Sequence, residues 1–292
     1  MRESLLGWQK QRYLKWSVAA AVVCVALYVS QSLQPGQPPN GGTWQGYVLG
    51  TIGAGLIIWL SLLGIRKRKY RSTLGTVQGW TSAHVYLGIV LLIIATLHCA
   101  AQFGWNVHTL AYVLMCLVIA SGLYGLYVYM HLPTRIAENS AGKNNEQWLA
   151  ELGDLDGEIR KVVRRTDADI QLMVVSALEL TRLGGGVWQQ LRATDKSMVQ
   201  ITDGGRPIAN TEQSAVIDVL TKRIPDARKA ADAEVLNELL ALFGRRQFVL
   251  YLLRRDTRLR GLVKVWLALH IPLTVALLGA LTVHIISVFL YW

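Results

Sequence analysis

Six histidines are the side chains of this sequence best suited to bind a ligand. All of them lie within or at the ends of long apolar stretches: His84, His98, His108, His131, His270 and His284. Imidazole binds metals and exchanges protons near neutral pH. An ionisable group inside a membrane span is costly, so its presence marks a functional site by default. We therefore begin with these residues.

The spacing of four of these histidines repeats. His98 follows His84 by 14 residues, and His284 follows His270 by 14 residues. On an α-helix, 14 residues fall about 40° short of four full turns and rise roughly 21 Å, so both rings of a pair project from nearly the same face. One ring then lies towards each surface of an apolar core about 30 Å thick.

Two such helices running in the same direction would bring two imidazoles together at each of two depths. We expect His84 to face His270 and His98 to face His284, as axial ligands of two non-covalent, bis-histidyl b-type haems. A single zinc or other metal ion is the alternative. Its ligands must converge within a few ångströms, and a separation of 14 residues prevents one pair from sharing one ion. The sequence holds no C-x-x-C-H motif, which argues against covalent haem.

The distribution of charge identifies the elements that carry these histidines. The chain is 52% hydrophobic and 17% charged, and the windows 16–65, 72–134 and 265–292 contain no Asp, Glu, Lys or Arg. A soluble globular protein cannot keep its wet face free of charge over such lengths. We predict an all-α membrane protein whose five spans form a haem-binding bundle, at 16–33, 44–65, 77–101, 107–130 and 262–290.

Two features of these spans are specific expectations. The first span is read as a retained helix in preference to a signal peptide, because the small-residue cleavage site around Val29 is poorly formed. Pro133 is expected to end the fourth span, and Pro272 to interrupt the fifth.

The orientation follows from the basic run at 66–71, which holds five positive charges in six residues. Basic loops stay on the cytoplasmic side, so the third and fifth spans run outward. We expect a multi-pass protein of a bacterial inner membrane, with its N-terminus inside and Tyr291 and Trp292 at the outer interface. The net charge of +11 then reflects topology and contact with membrane lipid, and nucleic-acid binding is not expected.

A polar segment separates the fourth and fifth spans. It holds 18 of the 19 acidic residues, and we predict a small cytoplasmic insertion, α+β or mostly helical, at 134–260. The membrane parts are then 1–133 and 261–292. Helical periodicity covers 146–165, 211–224 and 232–253, and the stretch between the glycines at 184–186 and 203–205 alternates as a strand or hairpin would.

Two tryptophans and several glycines accompany the histidines. Trp80 and Trp266 each stand four residues before an inner histidine, where they would pack a porphyrin edge or anchor the helix at the interface. Gly88, one turn after His84, would leave room for a flat macrocycle. The same use is open to the glycines at 122, 125 and 279, for which close helix packing is the alternative.

The segments around the inner histidines are alike, WTSAHVYL at 80–87 and WLALHIPL at 266–273. The regions 77–131 and 262–290 resemble the bis-histidyl dihaem membrane cytochromes b, which include the haem bundle of the ferric reductase and NADPH oxidase superfamily. The resemblance implies that His84, His98, His270 and His284 are the axial ligands. It departs from that superfamily's reductases, because no flavin and nicotinamide module follows the last span and no G-x-G-x-x-G follows a strand.

The expected function is transfer of electrons across the membrane, between a quinone pool or redox partner protein and an acceptor on the other face. The chain would then be the cytochrome b subunit of an oxidoreductase complex. The alternative is a noncatalytic anchor or assembly subunit that docks a partner through 134–260. His108 and His131, at the two ends of the fourth span, are candidates to accept a quinol proton; interfacial or propionate contacts are the other interpretation.

Overall fold

The computed structural model describes residues 7–34, 36, 38–69, 73–227 and 229–290. Tyr291 and Trp292, predicted at an interface, lie outside the described residues, as do the last two residues of the basic run at 66–71. Within the described ranges the chain forms helices and one two-stranded sheet. The helices are α1 (Trp8–Ser32), α2 (Trp44–Arg68), α3 (Val77–His98), α4 (Val107–Ser140), α5 (Asn145–Val163), α6 (Ala168–Glu179), α7 (Val187–Arg192), α8 (Ser214–Arg223) and α9 (Ala230–Leu290).

Five of these helices are long and apolar enough to cross a membrane: α1, α2, α3, and parts of α4 and α9. A span needs about 20 apolar residues, and each of the five exceeds that length. The prediction of a multi-pass, helical membrane protein is therefore confirmed at this level.

Pro133 and Pro272 both lie inside continuous helices, so the predictions that Pro133 ends the fourth span and that Pro272 interrupts the fifth are wrong. Helix α4 runs through Pro133 to Ser140, and α9 runs through Pro272. A proline removes one backbone hydrogen bond and crowds the preceding turn. Packing offsets that cost in α4, because Leu132 beside the proline is buried and the amide of Asn139 donates to the carbonyl of Leu252.

The chain divides into two compact units. The first, which we call the membrane unit, comprises Met1–Tyr127 and Trp266–Trp292; the second, the inserted unit, comprises Val128–Val265. Helices α4 and α9 contribute residues to both. The sequence places the corresponding boundaries at 133 and 261.

In the membrane unit, threonine residues cap the N-termini of α2 and α3. The hydroxyls of Thr43 and Thr76 accept hydrogen bonds from the backbone at Gly46 and Gly79 and so cap α2 and α3. Two apolar clusters then pack the helices together. One joins Cys24, Leu49, Val90 and Ile94, and the other joins Ile57, Leu60, Leu91, Met115, Leu277 and Leu281.

The inserted unit is mostly helical, with one short hairpin. Strand β1 (Met198–Val199) pairs antiparallel with β2 (Ile208–Ala209). Asn144 and Gln147 cap α5 reciprocally, and the core holds Ile159, Val174, Leu220, Leu239 and Phe243.

Sequence periodicity locates these elements only in part. Helix α6 is not among the predicted elements, and α7 is a helix inside the stretch read as strand or hairpin. Helix α9 continues well past residue 253, where the predicted periodic segment ends.

Candidate functional site

Three histidines from three helices converge at one end of the membrane unit. The ring centroids of His98 and His108 are 5.4 Å apart, those of His108 and His284 are 4.9 Å apart, and those of His98 and His284 are 6.2 Å apart. One nitrogen from each ring lies within 4.8 Å of the other two. We call these residues the histidine triad.

Helix ends bring the triad together. His98 is the last residue of α3, and His108 is the second residue of α4, so the short link between these helices keeps both rings at the same end. His284 lies near the end of α9. The 14-residue spacing predicts that His98 faces His284, whereas His108 is predicted to accept a quinol proton or to make an interfacial or propionate contact. The short link between α3 and α4 is the sequence feature that could have placed His108 beside His98.

One nitrogen of His98 is engaged by the backbone of a neighbouring helix. Nδ1 of His98 lies 2.8 Å from the carbonyl oxygen of Gly46. A carbonyl oxygen only accepts, so Nδ1 carries the proton and the lone pair is on Nε2. Metal-binding histidines almost always donate their second ring nitrogen in this way, which fixes the tautomer and orients the ring.

Glycines of α2 and of the turn before it make room for the His98 ring. A Cβ on Gly50 would lie 2.7 Å from Cε1 of His98, and one on Gly41 would lie 3.4 Å from the same atom. The first distance is too short for real carbon atoms. The imidazole therefore occupies a groove that exists because residue 50 has no side chain.

His84 on α3 and His270 on α9 are the two inner histidines, which we call the histidine pair. Nδ1 of His84 lies 3.1 Å from the carbonyl oxygen of Leu60, which fixes its tautomer as it does for His98.

A hydroxyl orients His270. Nδ1 of His270 lies 2.7 Å from Oγ of Ser121, and the same Oγ lies 2.8 Å from the carbonyl oxygen of Val118. If the hydroxyl donates to Val118, it accepts from Nδ1 of His270. That arrangement again leaves Nε2 as the nitrogen that can bind a ligand.

Trp266 packs beside the histidine pair and is held by α4. Its Nε1 donates to the carbonyl oxygen of Ser121 at 2.9 Å, and its ring centroid is 5.8 Å from that of His270. A Cβ on Gly125 would overlap the Trp266 ring, and one on Gly122 would approach Cε1 of His270 at 3.5 Å. Both glycines therefore serve close packing of side chains against α4.

Trp80 and Gly88 have different surroundings. The ring of Trp80 stacks on that of Trp59 at a centroid distance of 4.9 Å, and its Nε1 donates to the carbonyl oxygen of Leu74. A Cβ on Gly88 would meet no described atom within 4 Å. Open space therefore lies beside the turn that follows His84.

A cavity of about 460 Å³ reaches the histidine triad. This volume falls within the range of about 300 to 1,000 Å³ typical of small-molecule and cofactor sites. All three imidazoles line it, and the rest of its wall is mainly apolar, including Leu49, Ile57, Met115, Leu277 and Leu281. The triad thus combines nitrogen ligands with a mainly apolar cavity.

His131 belongs to the inserted unit, where its side chain is exposed. His131 is not part of the triad, so the variant His131→Ala is a suitable control for the loss of a histidine elsewhere in the chain.

No protein-family model, curated protein or solved structure matches this chain. The function is therefore argued from the chemistry of the two histidine sites.

Proposed function

We propose that this protein is a dihaem b-type cytochrome that carries electrons across a membrane. His84 with His270 would hold one haem, and His98 with His284 would hold the other. One observation carries the proposal. In three of these four imidazoles, Nδ1 is hydrogen-bonded to an oxygen of the protein, at 3.1 Å for His84, 2.8 Å for His98 and 2.7 Å for His270. That pattern supports Nε2 as a metal ligand at each of these positions.

The nitrogen donors suit a haem, and the spacing of His98 and His284 is close to what two of its ligands need. Two axial nitrogens need about 4 Å between them, since metal–imidazole bonds are about 2 Å long. Within the triad, the rings of His98 and His284 have the widest separation, 6.2 Å between centroids. Neutral nitrogen ligands without thiolates are those expected of a non-covalent b-type haem.

A haem supplies one-electron chemistry when bound, and the chain supplies orientation and a dry environment. The carbonyls of Leu60 and Gly46 and the hydroxyl of Ser121 hold the rings in one tautomer. Apolar side chains such as Met115 and Leu281 exclude water around the triad. Both effects tune the reduction potential of a bound metal centre.

We further propose an orientation. The basic residues at the end of α2 lie on the cytoplasmic side of a bacterial inner membrane by the positive-inside rule. The histidine pair is then the inner site, the triad the outer site, and the inserted unit faces the cytoplasm. Electrons would pass between a quinone pool or partner protein and an acceptor on the other face. Moving one electron across 100 mV is worth about 2.3 kcal/mol.

The test is haem content and spectroscopy of the purified chain. We expect two haems per chain, with reduced-minus-oxidised bands from both. His84→Ala and His98→Ala should each remove one haem, and a different one, because each loses one axial ligand. His131→Ala is the matched control and should retain two.

Two results would contradict the proposal. One is a native chain that contains no haem, which would favour the anchor or assembly role. The other is full haem content in both His84→Ala and His98→Ala, which would assign the axial ligands elsewhere.

A further inference from the structure

We infer that the histidine triad also binds a single first-row transition-metal ion, of the Zn²⁺ or Cu²⁺ class, through one nitrogen each of His98, His108 and His284. The ion would compete with haem for two of these ligands. The ion site stands on the triad alone, and only the competition rests on the proposed function.

The geometry requires only a small closure of the triad. A tetrahedral ion with bonds of about 2.0 to 2.1 Å holds its ligand nitrogens about 3.4 Å apart. The nitrogens of the triad lie within 4.8 Å of one another. His98 is the last residue of α3 and His108 the second of α4, where helix ends can adjust. One ring is already oriented, because Nδ1 of His98 bonds the carbonyl of Gly46.

The donor set decides which ions bind. Imidazole nitrogen suits zinc, copper, nickel and iron, whereas magnesium and calcium require oxygen ligands. The windows 72–134 and 265–292, which supply all three histidines, contain no Asp or Glu. Three protein ligands leave a fourth position open, as in catalytic zinc sites, and the adjoining cavity has room for water or another small ligand there.

His108 distinguishes binding of a single metal ion from binding of haem. A bis-histidyl haem uses His98 and His284, whose rings are 6.2 Å apart, whereas the centroid of His108 is only 4.9 Å from that of His284. A single ion is small enough to take all three rings, so its affinity depends on His108. A bound ion occupies the nitrogens that haem needs, so loading with metal should leave the chain with one haem, at the histidine pair.

The experiment uses the full-length chain purified after haem-limited expression. Zn²⁺ is titrated by calorimetry, and Co²⁺ serves as a spectroscopic probe whose visible bands report tetrahedral coordination. We expect one ion per chain and a loss of affinity of at least roughly 100-fold in His108→Ala, since even an outer-shell partner contributes 10- to 100-fold. His131→Ala should bind as the native chain does.

A conservative variant guards against misfolding. His108→Cys supplies a thiolate that zinc accepts, so it should bind the ion with shifted Co²⁺ bands. In chains supplied with haem, His108→Ala should keep two haems. Zinc added before haem should reduce uptake in the native chain from two to one and leave uptake by His108→Ala at two.

The outcomes separate the two proposals. Native zinc affinity in His108→Ala overturns the ion site. Loss of a haem together with the zinc overturns the competition as stated, because it would make His108 part of the haem site. A chain that binds zinc through His108 but binds no haem supports the ion site and refutes the proposed function.

Discussion

Buried polar side chains of the two units differ in how fully the protein satisfies their hydrogen-bonding groups. In the inserted unit, Arg246 is 1% exposed, and its guanidinium donates to Asp156, Thr181 and Gln213. In the membrane unit, His84, His98 and His270 each have one ring nitrogen bonded to the protein. A guanidinium has donors only, whereas a neutral imidazole with one nitrogen bonded keeps a lone pair on the other.

The difference indicates where a ligand belongs. A buried ion pair is a structural element, as Arg254 and Asp195 illustrate at 2.8 Å. An imidazole whose second nitrogen faces a cavity is prepared for a metal. We therefore expect substitutions in the inserted unit to affect stability, and substitutions around the histidines to affect ligand affinity. The predictions below test that division, beginning with the largest effect.

Replacing Arg246 by methionine should destabilise the inserted unit by about 3 kcal/mol, at the low end for a broken buried pair because Asp156 is 28% exposed. The variant leaves the Asp156 carboxylate and the Gln213 amide without their main partner. In detergent, the thermal midpoint of this unit should fall by roughly 10 °C. Haem content of the folded protein should be unchanged.

Lys222→Met is the matched control. Lys222 and Asp218 form an ion pair at 3.0 Å, but their side chains are 76% and 70% exposed. The free energy of unfolding should therefore change by less than about 0.5 kcal/mol. Equal shifts in the two variants would show that burial does not distinguish them. A specific loss of haem in Arg246→Met would break the division between the units.

Gly50→Ala should weaken ligand binding at the triad. The new Cβ would lie 2.7 Å from Cε1 of His98, so the ring must move while it is still held by the carbonyl of Gly46. Overpacking of this kind costs about 1 to 3 kcal/mol, which corresponds to roughly 5- to 150-fold in affinity. Titration of the triad site with haem or Zn²⁺ measures the loss.

Gly53→Ala controls for the gain in helix propensity that alanine brings to α2. A Cβ there would make ordinary contacts of 3.9 Å with Ile94 and Leu91, so ligand affinity should be unchanged. If both variants bound equally well, the groove at Gly50 would have no part in orienting His98.

Ser121→Ala should weaken haem binding at the histidine pair by about 10-fold, the lower end of the range for outer-shell partners. The variant removes the oxygen 2.7 Å from Nδ1 of His270, so the ring loses its fixed tautomer and orientation. Haem titration, with the triad site as internal reference, measures the effect.

Ser121→Thr keeps a hydroxyl and should restore affinity. Ser30→Ala removes a hydroxyl that bonds only within α1, to the carbonyl of Leu27 at 2.7 Å, and should have no effect. A loss of haem affinity at both sites in Ser121→Ala would mean that the serine supports the helix bundle as a whole and not His270 in particular.

Local chemistry made part of the fold predictable. Charge-free windows identify five spans because lipid excludes unpaired charge regardless of tertiary context. The sequence did not predict that α4 continues through Pro133. The energetic cost of a proline inside a helix is offset there by contacts with residues distant in sequence, such as the hydrogen bond from Asn139 to Leu252. Helix α6 was missed for the same reason, since the stability of a short helix comes from packing, and α6 buries Ile170, Met173 and Val174.

The helix repeat alone sets the direction of residues 14 apart, so the histidines that share a helical face can be read from their spacing. The spacing does not show that His108 joins His98 and His284. It also does not show that the oxygens at Gly46, Leu60 and Ser121 face His98, His84 and His270. These partners come from different helices. Their meeting depends on how the helices pack, which residues such as Gly50 determine through side-chain volume and not through periodicity.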